Sequence, residues 1–218
     1  MKKTLMLVVL FTLSCIVTAQ EKITEGIFIS KQTMSTDNEQ MQATFDAMGE
    51  MTTKTYLKGK KSRAEMSNPM SGDIVAIVDA ESMTSLTLMD SAMGKKYMKT
   101  KVENEDELLK DITVEEGSET KIILGYECKQ YIVTMNQNGI EMKMSMYVTD
   151  QIEPVMSSNN LVLYEKINGF PMLTEIEMNQ MGMQMTITNE VTKIDKTEVS
   201  DDLFSLTPPE GYTKMEGM

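Results

Sequence analysis

The chain has 218 residues, 33 Asp+Glu against 21 Lys+Arg, a formal net charge of −12, no His, no Trp and 24 Met. The acidic balance excludes a nucleic-acid-binding face, which needs clustered cations. The absence of His removes the base of Ser-His-Asp and Cys-His nucleophile systems, and every imidazole metal ligand with it.

Residues 1–19 have the three-part plan of a secretory signal. Lys2 and Lys3 come first, Leu5 to Leu13 is apolar apart from Thr12, and Val17-Thr18-Ala19 precedes an expected cleavage site. The apolar run is too short to cross a bilayer, and no later run reaches the ~18 apolar residues of a spanning helix. The expected location is the periplasm or the extracellular space, with residues 20–218 as one mature domain. A competing reading makes Cys15 the lipidated first residue of an outer-membrane lipoprotein, although Thr12-Leu13-Ser14-Cys15 fits that pattern poorly. Cleavage after Ala19 leaves Cys128 alone, without an internal disulfide partner, and its expected role is that of a small buried hydrophobe.

From about Glu25 the hydrophobic period is two. Strands are expected at Gly26 to Lys31, Gln40 to Ala47, Met51 to Lys58, Ser62 to Met66, Ile74 to Val78, Met83 to Met89 and Lys96 to Lys99, with turns between them. Asn104 to Ile112 differs. Asn104 can cap, acidic residues suit the first turn, and Leu108, Leu109 and Ile112 make a helical stripe. Glu115 to Ser118 reads as a solvated loop, and strands resume at Thr120 to Leu124 and Glu127 to Met135. Asn138-Gly139 is the strongest hairpin signal in the chain, with Ile140 to Thr149 as the return strand. Asp150 to Asn160 reads as a loop or short helical turn. Leu161 to Lys166, Pro171 to Met178 and Met183 to Ile194 are further strands, and Pro208-Pro209 is expected to close the regular part. The expected fold class is mainly β (α+β), a curved antiparallel open half-barrel of about ten strands with one or more covering helices.

Methionine supplies the distinctive feature. Ile140, Met142, Met144, Met146 and Val148 alternate with polar residues, as do Met183, Met185 and Ile187, and Met172, Ile176 and Met178 lie on the adjoining strand. Alternate residues of a strand point to opposite faces, so one side of the sheet should be lined with thioethers. Three readings follow. Met can be ordinary core filler, an adaptable lining for an apolar ligand, or a soft ligand for Cu(I). Along one strand, residues two apart are about 7 Å apart, which disfavours the metal reading.

Four blocks carry a resemblance: Tyr56-Leu57-Lys58-Gly59-Lys60-Lys61-Ser62-Arg63-Ala64-Glu65-Met66, Lys96-Tyr97, Gly125-Tyr126-Glu127-Cys128-Lys129-Gln130-Tyr131, and Phe204 with Pro208-Pro209-Glu210-Gly211-Tyr212. In this order the chain resembles the exported family of domain of unknown function 4412, which is similar to the periplasmic lipoprotein-carrier superfamily. The resemblance implies an unclosed antiparallel barrel with helices over its concave face, and a cavity able to take acyl chains. Carriers of that superfamily use an Arg inside the cavity. Arg63, the only Arg here, does not align with it, and the family supplies no catalytic residue. Arg63 and Glu65 share a strand face and are available for cross-strand charge pairs.

No phosphate loop, dinucleotide fingerprint or nucleophile elbow is present. Glu115-Glu116 and Asp201-Asp202 read as solvated charge, and Asp37 or Asp201-Asp202 lack the ligand spacing of a calcium loop. The expectation is an exported non-enzymatic binding protein without a cofactor. Its partner is a small apolar molecule, a lipid or a lipidated protein, held by Met142, Met144, Met146, Met178, Met183 and Met185. The alternatives are an envelope protein that binds copper or buffers oxidants through its methionines, and a scaffold packing against other envelope proteins.

Overall fold

The computed structural model describes residues 22–68, 72–101, 112–137, 140–154, 163, 166–180 and 183–215. In chain order the elements are β1 Glu25–Thr36, α1 Glu39–Met48, β2 Met51–Lys58, β3 Lys61–Asn68, β4 Gly72–Asp79, β5 Thr84–Ser91 and β6 Gly94–Lys101. They continue with β7 Ile112–Ile123, β8 Tyr126–Gln137, β9 Ile140–Thr149, β10 Phe170–Gln180, β11 Met183–Asp195, a 3-10 turn Asp201–Phe204 and β12 Thr213–Lys214.

All strands form one 12-stranded sheet in the order β12-β6-β5-β4-β3-β2-β1-β11-β10-β9-β8-β7. Two antiparallel meanders, β2–β6 and β7–β11, are joined through β1, which pairs with β2 on one side and β11 on the other. The sheet does not close on itself, since β12 and β7 stand at its two margins.

Several expectations are corrected. Gln40 to Ala47 lies in α1, not in a strand. The Asn38 side chain accepts hydrogen bonds from the Gln40 and Met41 amides at 3.1 and 2.9 Å, and the Gly49 amide closes the last turn on Phe45. Met41, Phe45 and Met48 then share one side of the helix, spaced as a helical stripe rather than a strand. Glu115 to Ser118 is not a loop but part of β7, whose pairing jumps from Glu116↔Tyr131 to Thr120↔Lys129 at a bulge. Leu163 and Lys166 are helical, with the Ile167 amide donating to the Leu163 carbonyl at 2.7 Å, where a strand was expected. Regular structure also continues beyond Pro208-Pro209, because β12 pairs in parallel with β6. The helix expected from Asn104 lies, apart from Ile112, outside the described residues, and Ile112 opens β7. The signal segment and Cys15 are outside them too.

The Asn138-Gly139 hairpin has the expected register, Gln137↔Ile140, although its two turn residues lie outside the described residues. At the other end of β8, Leu124 and Gly125 link β7 to β8 with φ of 51° and 85°. Two consecutive positive φ values match the right-handed twist of a two-residue hairpin.

Among the described residues, the buried side chains form three clusters. At the seam between the meanders, Phe28, Leu57, Cys128, Tyr147, Met172 and Val191 pack together, and the Phe28 and Phe170 ring centroids are 5.0 Å apart. Under the C-terminal segment, Ile77, Leu86 and Leu88 meet Val199 and Phe204. On the second meander, Val133, Met146 and Val148 meet Ile167, with Leu163 against them.

Candidate functional site

The cross-strand register assembles the thioether face. Residues paired across neighbouring strands project to the same side of a sheet. Met142 pairs with Met135 on β8 and with Met178 on β10, and Met178 pairs with Met185 on β11. These methionines make one continuous row across four adjacent strands. The next row is Val133, Met144, Ile176, Ile187 and Met34, the last on β1. One row further in, Met146 lies between Tyr131 and Thr174.

Burial is complete only at the inner end of this face. Met146 is 5% exposed and packed into the cluster with Ile167, whereas Met144, Met142, Met178 and Met185 are half-buried. Met183, opposite Gln180 at the β10–β11 end, is half-buried as well. Of the six methionines selected from the sequence, Met142, Met178 and Met185 therefore share one row. Met144 extends it inward, Met183 flanks it, and Met146 belongs to the core.

Met172, expected on the same face, does not join it. A bulge between Pro171 and Leu173 breaks the alternation of β10, and Met172 is fully buried with Phe28, Tyr147 and Cys128. Conversely, Met135 and Met34 belong to the face without having been selected. The two-residue Asn138-Gly139 loop was a sufficient signal for Met135, because it forces Met135 opposite Met142.

Beyond the seam cluster, in which Cys128 and Tyr147 are buried, the opposite face of the same strands is polar. The Gln130 amide donates to Ser145 and Tyr147, the Tyr147 hydroxyl donates to Glu119 at 2.7 Å, and Lys121 sits 3.8 Å over the Tyr147 ring. A groove of about 440 Å³ at the β10–β11 end is lined by Lys143, Glu177, Asn179, Gln184 and Thr186, with Met178 and Met185. Lys143, Glu177 and Thr186 are paired in register, as are Asn179 and Gln184. Strand alternation sends these five side chains away from the two thioethers, so the groove opens on the polar side.

Cys128 is completely buried and hydrogen-bonded to the Tyr126 carbonyl at 3.5 Å. Burial pushes its thiol from the ordinary 9.0 up to about 11, helped by the Glu127 carboxylate and opposed by a backbone hydrogen bond from Ile123. It is a core residue held in its neutral form. Asp37 accepts from the Gln184 amide, and Asp201 pairs with Lys58 at 3.1 Å, so both carboxylates once considered for calcium take part in internal contacts.

Residues 38–212 match the family described as a domain of unknown function, DUF4412. The chain belongs to this family. The DUF4412 match takes in β8 to β11 and the C-terminal segment, but not β1. The chain is similar to a solved structure of PNGF-II, with TM-score 0.47 and 14% identity over 87% of this chain and 31% of that one, so it spans less than a third of that protein's length. It is also similar to the Mycobacterium tuberculosis lipoprotein LppX, with TM-score 0.33 and 6% identity over 80% of this chain and 89% of that one. No curated protein matches it.

Proposed function

We propose that this DUF4412 protein is an exported, non-enzymatic binding protein that holds a lipid or another apolar ligand against the thioether face of β8 to β11. The observation that carries the reading is the half-buried row Met135, Met142, Met178 and Met185, continuous with the closed core at Val133, Met146 and Val148. A core that opens in this way offers a ligand a flexible, polarizable surface. Methionine can repack around chains of different shape, which suits a carrier better than a rigid aromatic lining would.

Native mass spectrometry of the mature chain, purified from a Gram-negative envelope, tests this directly. The expected result is an adduct of several hundred mass units that organic extraction removes. A fluorescent acyl probe should bind the wild type and lose at least tenfold in affinity in the Met142→Gln, Met178→Gln, Met185→Gln triple variant. A bare mass together with no probe binding overturns the reading.

The same register favours a second reading, a soft-metal site. Across neighbouring strands paired residues are separated by only about 4.8 Å, closer than the ~7 Å along one strand. Met178 and Met185 thus present two thioethers to one Cu(I) ion. In the same spectrum a copper-sized adduct, lost in the triple variant, selects this reading over the first.

A further inference from the structure

The Gly125 to Tyr131 block has two faces, one in the seam cluster and the other running from exposed Glu127 and Lys129 to Tyr131, which packs against Val133, Met146 and Val148. Tyr126 and Cys128 are buried in the seam cluster. Glu127, Lys129 and Tyr131 alternate with them and line a separate pocket of about 310 Å³, together with Asp150, Gln151 and Asn168. The volume is at the lower end of the ~300–1,000 Å³ typical of small-ligand sites. Val148, buried in the neighbouring cluster, contributes an apolar patch.

Most polar groups of this pocket are exposed to solvent, and one is buried without a partner. Among the described residues, the side chains of Glu127, Lys129, Tyr131, Asp150 and Asn168 meet no hydrogen-bond or ion-pair partner. The Gln151 Oε1 atom is buried without a partner, although the backbone of Gln151 is bonded to Ile23 and Thr149. A buried acceptor left open is rare in a folded protein and calls for a donor.

The composition of the pocket selects the donor. Among the described residues that line it, two carboxylates, two amide oxygens and a phenol oxygen make it rich in acceptors, and one ammonium adds donors. Two carboxylates against one Lys disfavour an anion. A divalent cation would share the pocket with Lys129, and among the described residues no group of three or more acidic, His or Cys side chains converges on a metal. Neighbouring hydroxyls of a polyol match the set, because each donates to a carboxylate or amide oxygen and accepts from an ammonium or amide N–H. The Tyr131 ring and Val148 provide the apolar surface that the C–H face of a sugar ring requires.

We infer that the pocket between β8, β9 and the turn at Asn168 binds a small neutral saccharide, with Glu127, Asp150 and Gln151 as acceptors and Lys129 as donor. Tyr131 and Val148 place this pocket on the same side of the sheet as the thioether face, beyond Met146 and away from the row of Met142, Met178 and Met185, and the proposal does not rest on the apolar-ligand reading.

Isothermal titration of the mature chain with glucose, N-acetylglucosamine, maltose and cellobiose, one at a time, tests it. The expected result is saturable binding of at least one sugar, weakened about tenfold or more by Asp150→Ala and by Tyr131→Ala, and unchanged in Met142→Gln. Both pocket variants alter residues at the surface or half-buried, and circular dichroism confirms their fold. The proposal is overturned if none of the sugars binds, or if binding is unchanged in both pocket variants. It is equally overturned if calcium chloride or an alkylammonium salt binds there and the sugars do not.

Discussion

The two meanders on either side of β1 treat their apolar faces differently. On the first, the chain covers the face itself. Val199 and Phe204 descend onto Ile77, Leu86 and Leu88, and three cations donate hydrogen bonds to carbonyls of the covering segment. Lys58 bonds to Val199 at 2.9 Å, Arg63 to Leu203 at 3.3 Å and Lys99 to Leu206 at 2.9 Å. Asp201 also pairs with Lys58, and this hydrogen bond holds the ammonium above its usual range. On the second meander, cover by Leu163 and Ile167 reaches Val133, Met146 and Val148, and beyond it the thioether row is half-buried. One half of the sheet is completed with branched and aromatic side chains, whereas the other ends in flexible thioethers. Rigid packing favours a single fixed structure, and methionine favours adaptability.

The largest expected break in this contrast is Phe204→Ala. Phe204 is 6% exposed beneath the C-terminal cover. Its loss should cost about 3 kcal/mol, against about 1 kcal/mol for Met178→Ala in the half-buried row. Urea denaturation checks this, and comparable losses at the two positions would erase the distinction between a closed and an open half.

The seam between the halves has its own signature. Cys128 from the second meander packs in the same cluster as Phe28 of β1 and Leu57 from the first meander. Its thiol titrates near 11 in the folded protein rather than at the ordinary 9.0. The folded state therefore retains this proton while the unfolded chain releases it. Stability is unaffected well below pH 9 and falls as pH rises from 9 towards 11, by about 2 kcal/mol in total. Cys128→Ala should remove this part of the alkaline loss. Denaturation of wild type and variant at pH 8, 9, 10 and 11 separates it from the Lys and Tyr titrations the two proteins share.

How much of this was legible in the sequence depended on whether a feature is local. The alternation of Met142, Met144 and Met146, and the Asn138-Gly139 loop, determine a face and a register within one hairpin, so the row could be anticipated. The depth of each residue could not. Met146 is core because a helical segment covers it, and the short apolar run at Leu161 to Lys166 fits strand and helix alike. Met41, Phe45 and Ala47 satisfy a period of two, and the capping role of Asn38 emerges only in the fold. The bulge that removes Met172 from the face leaves no local signal, since Pro171 fits equally at a regular strand start. The parallel pairing of β12 with β6 joins segments more than a hundred residues apart, which no local pattern encodes.

The smallest expected effect tests why the first half stays closed. Arg63, the single Arg of the chain, does not pair across strands as its position suggested. Its Nε bonds to Glu65 on the same strand at 2.7 Å, and a second guanidinium nitrogen donates to the Leu203 carbonyl. The guanidinium thus fixes a carboxylate and the covering segment at once, which a single ammonium on a shorter fork-less stem cannot do in the same geometry. Arg63→Lys keeps the charge and should still lose about 1 kcal/mol, because one of the two hydrogen bonds goes. Leu203 is adjacent to Phe204, so the two changes act on one turn. In a double-mutant cycle, Arg63→Lys and Phe204→Ala should be coupled by about 0.5 kcal/mol or more, whereas Arg63→Lys and Met178→Ala should add independently. Additivity in both cycles would mean that Phe204 alone holds the cover, with the cations only decorating its edge.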